Sequence, residues 1–336
     1  MSALLEVKNL SVDIPLAAGI LHPVQDLTFS VDKGETLCIV GESGCGKSLT
    51  SLALMDLLPK KAIRTGTSIL FDGEDLLKKT DPQMGDLRGN RVGMIFQEPM
   101  TSLNPSFTIG NQMEEMMLRH RRVSRNEARE RATYLLQKVG IVGAERRLKQ
   151  YPHQLSGGLR QRVMIAMTLM CGPDLIIADE PTTALDVTIQ AQILLLLAEL
   201  QREFGMALIL ITHDLGIVAR VADRLAVMYA GQIVEQGNVE DVFGEPLHPY
   251  TRGLLSCIPV PGKTERGAHL GSIPGIVPSM IGDIEGCHFR DRCPHAWMDC
   301  AKGDVDLRAL DQLRAYRCLM SPSDSLARAT ELEMAE

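Results

Sequence analysis

Six strand-like runs punctuate the chain: Leu37–Val40, Ser68–Phe71, Val92–Phe96, Leu175–Ala178, Ala207–Thr212 and Leu225–Met228. Several are continuously apolar instead of alternating. Strands buried on both faces read that way, which predicts a parallel sheet. Helical patterns separate the runs, over Gly46–Leu58, Asn126–Val139, Gly157–Met170 and Thr188–Glu203. Strand–helix alternation on this scale predicts α/β layers, with no internal repeat. Past Ile258 both periodicities fade into Pro259-Val260-Pro261-Gly262, then Pro274, Gly275, Pro278 and Gly282. That shift predicts a boundary between residues 1–258 and 259–336. The second segment reads as a small, loop-rich appendage, too poor in apolar runs for a large core of its own.

Composition narrows the classes. Over 336 residues, 45% are hydrophobic and 23% charged, an ordinary globular balance. The net charge of −7 excludes a whole-protein basic footprint, so no nucleic-acid partner is expected. No stretch reaches the roughly 18 apolar residues of a membrane-spanning helix. The start, Met1 to Glu6, lacks the charged and apolar regions of a signal peptide. The expectation is a cytosolic chain whose link to any membrane is peripheral. Eight cysteines are too few for a disulfide scaffold at this length. Cys38, Cys45, Cys171 and Cys257 are scattered, whereas Cys287, Cys293, Cys300 and Cys318 crowd into the tail.

The first chemistry lies at Gly41-Glu42-Ser43-Gly44-Cys45-Gly46-Lys47-Ser48, which matches G-x-x-x-x-G-K-[ST]. An apolar strand feeds it and a helix leaves it. Glycines let successive backbone N–H groups turn inward as an anion nest, and the helix N-terminus adds partial positive charge. Ser43 to Leu49 would thus cradle a polyphosphate, with Lys47 on the β- and γ-phosphates and the Ser48 hydroxyl on Mg²⁺. A plain glycine-rich turn is the bland alternative. Leu175-Ile176-Ile177-Ala178 then ends in Asp179 and Glu180. Asp179 suits the Mg²⁺ site and Glu180 the polarisation of attacking water. The alternative is a carboxylate pair facing solvent.

Further motifs follow in a fixed order. Gln97 sits in Phe96-Gln97-Glu98-Pro99. Leu155-Ser156-Gly157-Gly158-Leu159-Arg160-Gln161-Arg162 precedes Asp179. Ala184-Leu185-Asp186 comes after it, and His213 lies in Ile211-Thr212-His213-Asp214. Together with the phosphate loop these resemble the ABC ATPases, over about residues 4–258. The resemblance implies an ABC-type P-loop fold: a RecA-like α/β core, an antiparallel β subdomain and a helical subdomain. It implies ATP and Mg²⁺ as cofactors, with Gln97 also a Mg²⁺ ligand. Glu180, Gln97 and His213 would serve catalysis. Ser156, Gly157, Gly158 and Asp186 would contact nucleotide. The signature is an anion site without a lysine, which in the family faces the partner's ATP, so a head-to-tail ATPase dimer is implied. One family feature departs: Ile14, followed by Pro15, stands about where an adenine-stacking aromatic usually follows the first strand.

His248-Pro249-Tyr250-Thr251 and Pro99-Met100-Thr101-Ser102-Leu103-Asn104-Pro105, with the cysteine-bearing tail, resemble the ATPase subunits of oligopeptide, dipeptide and nickel importers. The resemblance implies an enzyme that powers peptide import from the cytoplasmic face of the cell membrane. Its implied partners are a second ATPase, commonly a paralogue, two integral membrane permease subunits and an extracytoplasmic solute-binding protein. A nickel or other small-solute importer, or a soluble ABC ATPase, is the alternative. The tail cysteines have spacings x5, x6 and x17, without the close C-x₂₋₄-C pair usual in zinc knuckles. Four such thiols suit a 4Fe-4S cluster, with zinc as the alternative. The resemblance also implies a cluster, since tails of this type carry one. Arg119, Arg121, Arg122, Arg125, Arg129 and Arg131 read as a solvated helix face.

Overall fold

The computed structural model describes residues 3–98, 102–183, 186–258 and 271–333. The chain forms two compact units. One comprises Met1–Leu4, Val31–Thr36 and Lys78–Ile211, and the other Leu5–Ser30, Leu37–Leu77 and Thr212–Glu336.

The first unit is built on a parallel ribbon. Strand Leu175–Asp179 lies between Val92–Ile95 and Ala207–Thr212, with Ala178 opposite both Ile95 and Leu210. Every residue of Leu175–Asp179 and Ala207–Thr212 is buried, which accounts for their unbroken apolar reading. Helices Ile109–His120, Arg125–Lys138, Gly157–Thr168 and Val187–Phe204 belong to the same unit, with the shorter Asp81–Leu87 and Ala144–Leu148. Ala128, Ala132, Leu135 and Leu136 line one side of the second of these and are fully buried. Ser124 starts that helix as a capping box with Glu127. Arg119, Arg121, Arg122, Arg125 and Arg129 are exposed, as expected, and Arg131 is half-buried, but the run does not lie on a single helix. A helix break at Arg121 divides it. Arg121 donates to the Cys171 carbonyl, Arg131 to the Leu169 carbonyl, and Arg129 pairs with the buried Glu114. Arg121 and Arg131 thus satisfy carbonyls at the C-terminal end of Gly157–Thr168, which hydrophobic periodicity does not reveal.

The second unit holds an antiparallel sheet in the order Gly19–Val31, Leu5–Leu16, Ser68–Phe71, Glu74–Asp75, with Ile63–Thr65 also on Leu5–Leu16. It also holds Thr36–Val40, paired in parallel with Arg224–Tyr229, which continues antiparallel to Gln232–Asn238. The helix expected over Gly46–Leu58 runs only from Lys47 to Leu54, because Asp56 turns left-handed at φ 54°. The first strand, Leu5–Leu16, is not among the predicted runs, and Ile14 and Pro15 lie inside it, not after it.

The tail segment adds no layer of its own. Ala315–Tyr316 pairs with the edge of Gln232–Asn238, and Arg308–Ala309 pairs with Ala315–Tyr316. Arg317 is buried and donates to the carbonyls of Ile233 at 3.1 Å and Val305 at 2.8 Å. Tyr316, Cys318 and Met320 pack with Leu247. The tail therefore finishes its core on residues upstream of Ile258, as its scarcity of apolar runs requires.

Candidate nucleotide site

The phosphate loop follows the buried strand Thr36–Val40 and leads into Lys47–Leu54. Glycine is obligatory at two of its positions. A Cβ at Gly41 would stand 2.1 Å from the Met228 carbonyl oxygen, and one at Gly46 would stand 1.9 Å from that of Pro23. Both residues also take positive φ, 157° and 105°. The backbone is thus threaded between two neighbouring carbonyls, and its N–H groups are left to define the concave side. Lys47 is buried, its ammonium donating to the carbonyls of Gly41 at 2.9 Å and Glu42 at 3.0 Å, with the Cys45 sulfur at 3.8 Å. A lysine already desolvated and held by loop carbonyls can exchange them for phosphate oxygens over a short swing. Ser48 follows on the first helical turn and is half-buried. Burial raises the Cys45 thiol above its usual value, partly offset by Lys47.

The carboxylate residues belong to the other unit. Asp179 ends its strand and is buried, while Glu180 follows at φ 43°. A left-handed non-glycine residue costs on the order of 1–2 kcal/mol, and such strain concentrates at functional sites. Two donors fix the Glu180 carboxylate: Gln97 Nε2 and Thr183 Oγ1 each reach Oε2 at 3.0 Å. Gln97 and Glu180, distant in sequence, are thereby brought together. Thr183 was missed by motif reading; its position three residues after Glu180 was the available signal.

Ser156 is the exposed N-cap of Gly157–Thr168, with Gly157 exposed and Gly158 half-buried. Its side chain makes no cap bond, and the helix N-terminus carries its partial charge outward. Asp186 stands at the N-cap position of Val187–Phe204, without a side-chain cap bond. Ala184 and Leu185 of the same motif lie outside the described residues, as do Pro99, Met100 and Thr101. His213 is exposed directly after Ala207–Thr212, and Asp214 caps the next helix by accepting from the Gly216 N–H at 3.0 Å.

All four tail cysteines are free thiols, Cys300 and Cys318 buried, Cys287 and Cys293 half-buried. The Cys287 N–H donates to the Cys300 carbonyl at 2.8 Å. Burial raises the Cys287 thiol to about 11 and the Cys293 thiol to about 12. Neighbouring tail cysteines add smaller contributions to both shifts. Among the described residues, no three His, Cys, Asp or Glu side chains are close enough to share a single metal ion.

Fold and loop together define a P-loop ATPase. The ABC transporter family model matches residues 24–183, and the model of the oligopeptide/dipeptide transporter C-terminal region matches 234–300. The dipeptide transport ATP-binding protein DppD of Bacillus subtilis is 51% identical over 301 residues, 89% of each chain. The oligopeptide transport ATP-binding protein OppD of Salmonella typhimurium is 50% identical over 317 residues, 94% of this chain and 93% of that one. Among solved structures, the dimeric ATP-binding cassette MJ0796 bound to ADP and Pi superposes with a TM-score of 0.63 at 27% identity, covering 70% of this chain and 98% of that one. The chain belongs to the ATP-binding subunits of the oligopeptide/dipeptide ABC transporters.

Proposed function

We propose that the chain hydrolyses ATP to power the import of di- and oligopeptides, working at the cytoplasmic face of the membrane with two permease subunits, a solute-binding protein and a second ATPase, a paralogue. One observation carries the peptide assignment: the extension matches the oligopeptide/dipeptide C-terminal family, in addition to the ATPase domain that ABC proteins of every substrate share. Among the described residues no helix is long and apolar enough to cross a membrane. Pull-down of the tagged chain should recover two integral membrane subunits, and peptide plus binding protein should stimulate ATPase activity of the reconstituted assembly. Recovery without membrane subunits would defeat the reading.

In this reading residues 1–258 form the ATP-binding domain and 259–336 the extension. Lys47 takes the β- and γ-phosphates. Ser48, Gln97 and Asp179 hold Mg²⁺, Glu180 polarises water, and His213 serves the γ-phosphate side. The remaining nucleotide contacts come from Gly41, Ser43, Gly44, Cys45, Gly46, Leu49 and Asp186. Ser156, Gly157 and Gly158 face the ATP of the partner ATPase. The exposed, lysine-free helix start at Ser156 supports a role across subunits. Ser156→Arg should damage the site on the partner's phosphate loop while nucleotide crosslinking to this chain's own loop persists. Loss confined to its own site would contradict the sandwich.

We infer that the tail thiols hold a 4Fe-4S cluster, with zinc as the alternative; the spacings x5, x6 and x17, without a close C-x₂₋₄-C pair, support this reading. Cys287, Cys293, Cys300 and Cys318 would hold it, and it would staple a tail poor in apolar residues.

A further inference from the structure

Two segments remain without a part in nucleotide chemistry, Leu247–Thr251 and the cysteine-bearing tail. Both close on the same residue of the phosphate loop. The Glu42 backbone N–H donates to the Tyr250 hydroxyl at 2.9 Å. Its carboxylate receives a two-pronged contact from Arg292, Nη1 to Oε2 at 2.7 Å and Nη2 to Oε1 at 3.0 Å. The Arg292 side chain is only 5% exposed, against 26% for Glu42.

The arginine is held from behind. Its Nε donates to the Pro274 carbonyl at 2.9 Å and its Nη2 to that of Ile273 at 3.0 Å. Its guanidinium lies over the rings of Tyr229 at 5.7 Å and Phe289 at 6.0 Å. Those rings pack on each other and on Tyr250, with centroids 4.6 to 5.4 Å apart. A rigid, weakly hydrated, bidentate donor is thus fixed opposite one carboxylate.

Glu42 poses a problem for an anion site. A carboxylate inside a loop that must take a polyphosphate repels its ligand, and a site partly withdrawn from water screens that repulsion poorly. We propose that Arg292 is a positioning residue for the nucleotide. It neutralises Glu42 and holds it toward the tail, while Tyr250 anchors the same residue's backbone, so that the loop presents its N–H groups and Lys47 without a competing charge. The extension is then a working part of the phosphate loop. Arg292 directly precedes Cys293, so order in the cysteine segment and nucleotide affinity are linked, and linkage acts in both directions. The proposal rests on Gly41–Ser48 taking the phosphates of ATP; Lys47→Ala, measured alongside, tests that reading separately.

In the assembled transporter, Arg292→Gln should raise KM for MgATP about tenfold, within the usual range of coupling between sites. Its kcat should stay within about twofold, the signature of lost ground-state binding. Adding Glu42→Gln should restore KM, because it removes the charge that Arg292 offsets. An unchanged KM in Arg292→Gln overturns the proposal. So does a raised KM that Glu42→Gln fails to restore, since a merely structural arginine would behave that way. Should Arg292→Gln fail to fold, Glu42→Gln alone decides. Its KM should be unchanged or lower, and a KM raised about tenfold overturns the proposal.

Discussion

The phosphate loop and the cysteine-bearing tail are both rich in glycine and turns, yet they are specified in opposite ways. The loop is shaped by its own backbone: glycines at Gly41 and Gly46 where two carbonyls leave no room for a Cβ, and a lysine that returns to the carbonyls of its own loop. The tail between Gly271 and Glu333 contains strands of only two residues. It is ordered by side chains reaching far along the chain, Arg317 to Ile233 and Arg292 to Glu42. Local specification tolerates almost no substitution at its key positions, whereas distributed specification spreads the same work over many contacts. The difference yields three tests.

The largest effect belongs to the nucleotide-handling residues, where single groups act alone. Glu180→Gln should bind ATP yet turn over at least ~100-fold more slowly, the scale of a lost general base. It keeps an acceptor oxygen for Gln97 and Thr183, so their hydrogen bonds give no separate cause for the loss. Near-normal turnover in the assembled transporter would remove Glu180 from the mechanism.

A smaller, all-or-none effect in metal content marks the tail. If its cysteines act as one unit, replacing any of Cys287, Cys293, Cys300 or Cys318 by Ser should bleach a brown protein purified without oxygen. Cys38→Ser and Cys171→Ser should leave the colour intact. Metal analysis should give about four irons per chain. One zinc and no iron would select the structural zinc site instead. With the tail loosened, ATP binding should persist, because the loop keeps its own backbone geometry, but at an affinity reduced several-fold through Arg292.

The same contrast explains what the sequence disclosed. The phosphate loop, Asp179, Glu180 and the parallel strands were legible because each depends on neighbours in the chain or on burial of a contiguous run. Strand ends moved by a residue at Ile95 and Asp179, because Phe96 is apolar yet exposed and Asp179 is charged yet buried. The strand Leu5–Leu16 was not marked because its burial alternates irregularly. Its antiparallel sheet was expected from family resemblance, not from periodicity. Pairing of Ala315–Tyr316 with Gln232–Asn238 gave no signal at all, since two residues carry no period. The roles of Tyr250 and Arg292 at Glu42 gave no signal for a related reason: the contacts join residues 208 and 250 positions apart, and no motif spacing encodes that.

The smallest effect tests where the two regions join. His248 starts the helix Pro249–Ser256, its Nδ1 accepting from the Tyr250 N–H at 3.1 Å, and its ring lies 5.7 Å from that of Phe289 in the tail. Burial, reinforced by Arg252 and Arg317, lowers its pKa to about 3 from an ordinary value of 6.5. The imidazole is therefore neutral in the fold and takes a proton in the unfolded chain once pH drops below 6.5. Its contribution to stability is complete above that value and falls as pH drops toward 3. The nearby Glu235, which accepts from the Leu247 and His248 N–H groups, has its carboxyl raised by burial and works in the opposite sense as pH falls. A difference measurement separates the two. His248→Asn keeps a side-chain acceptor at the N-cap and cannot titrate. Denaturant midpoints of the two proteins, compared from pH 7 to pH 5, should show wild type losing about 2 kcal/mol relative to the variant. A pH-independent difference would mean that His248 is protonated or solvated in the fold, and that the join between loop and tail is wetter than its aromatic packing implies.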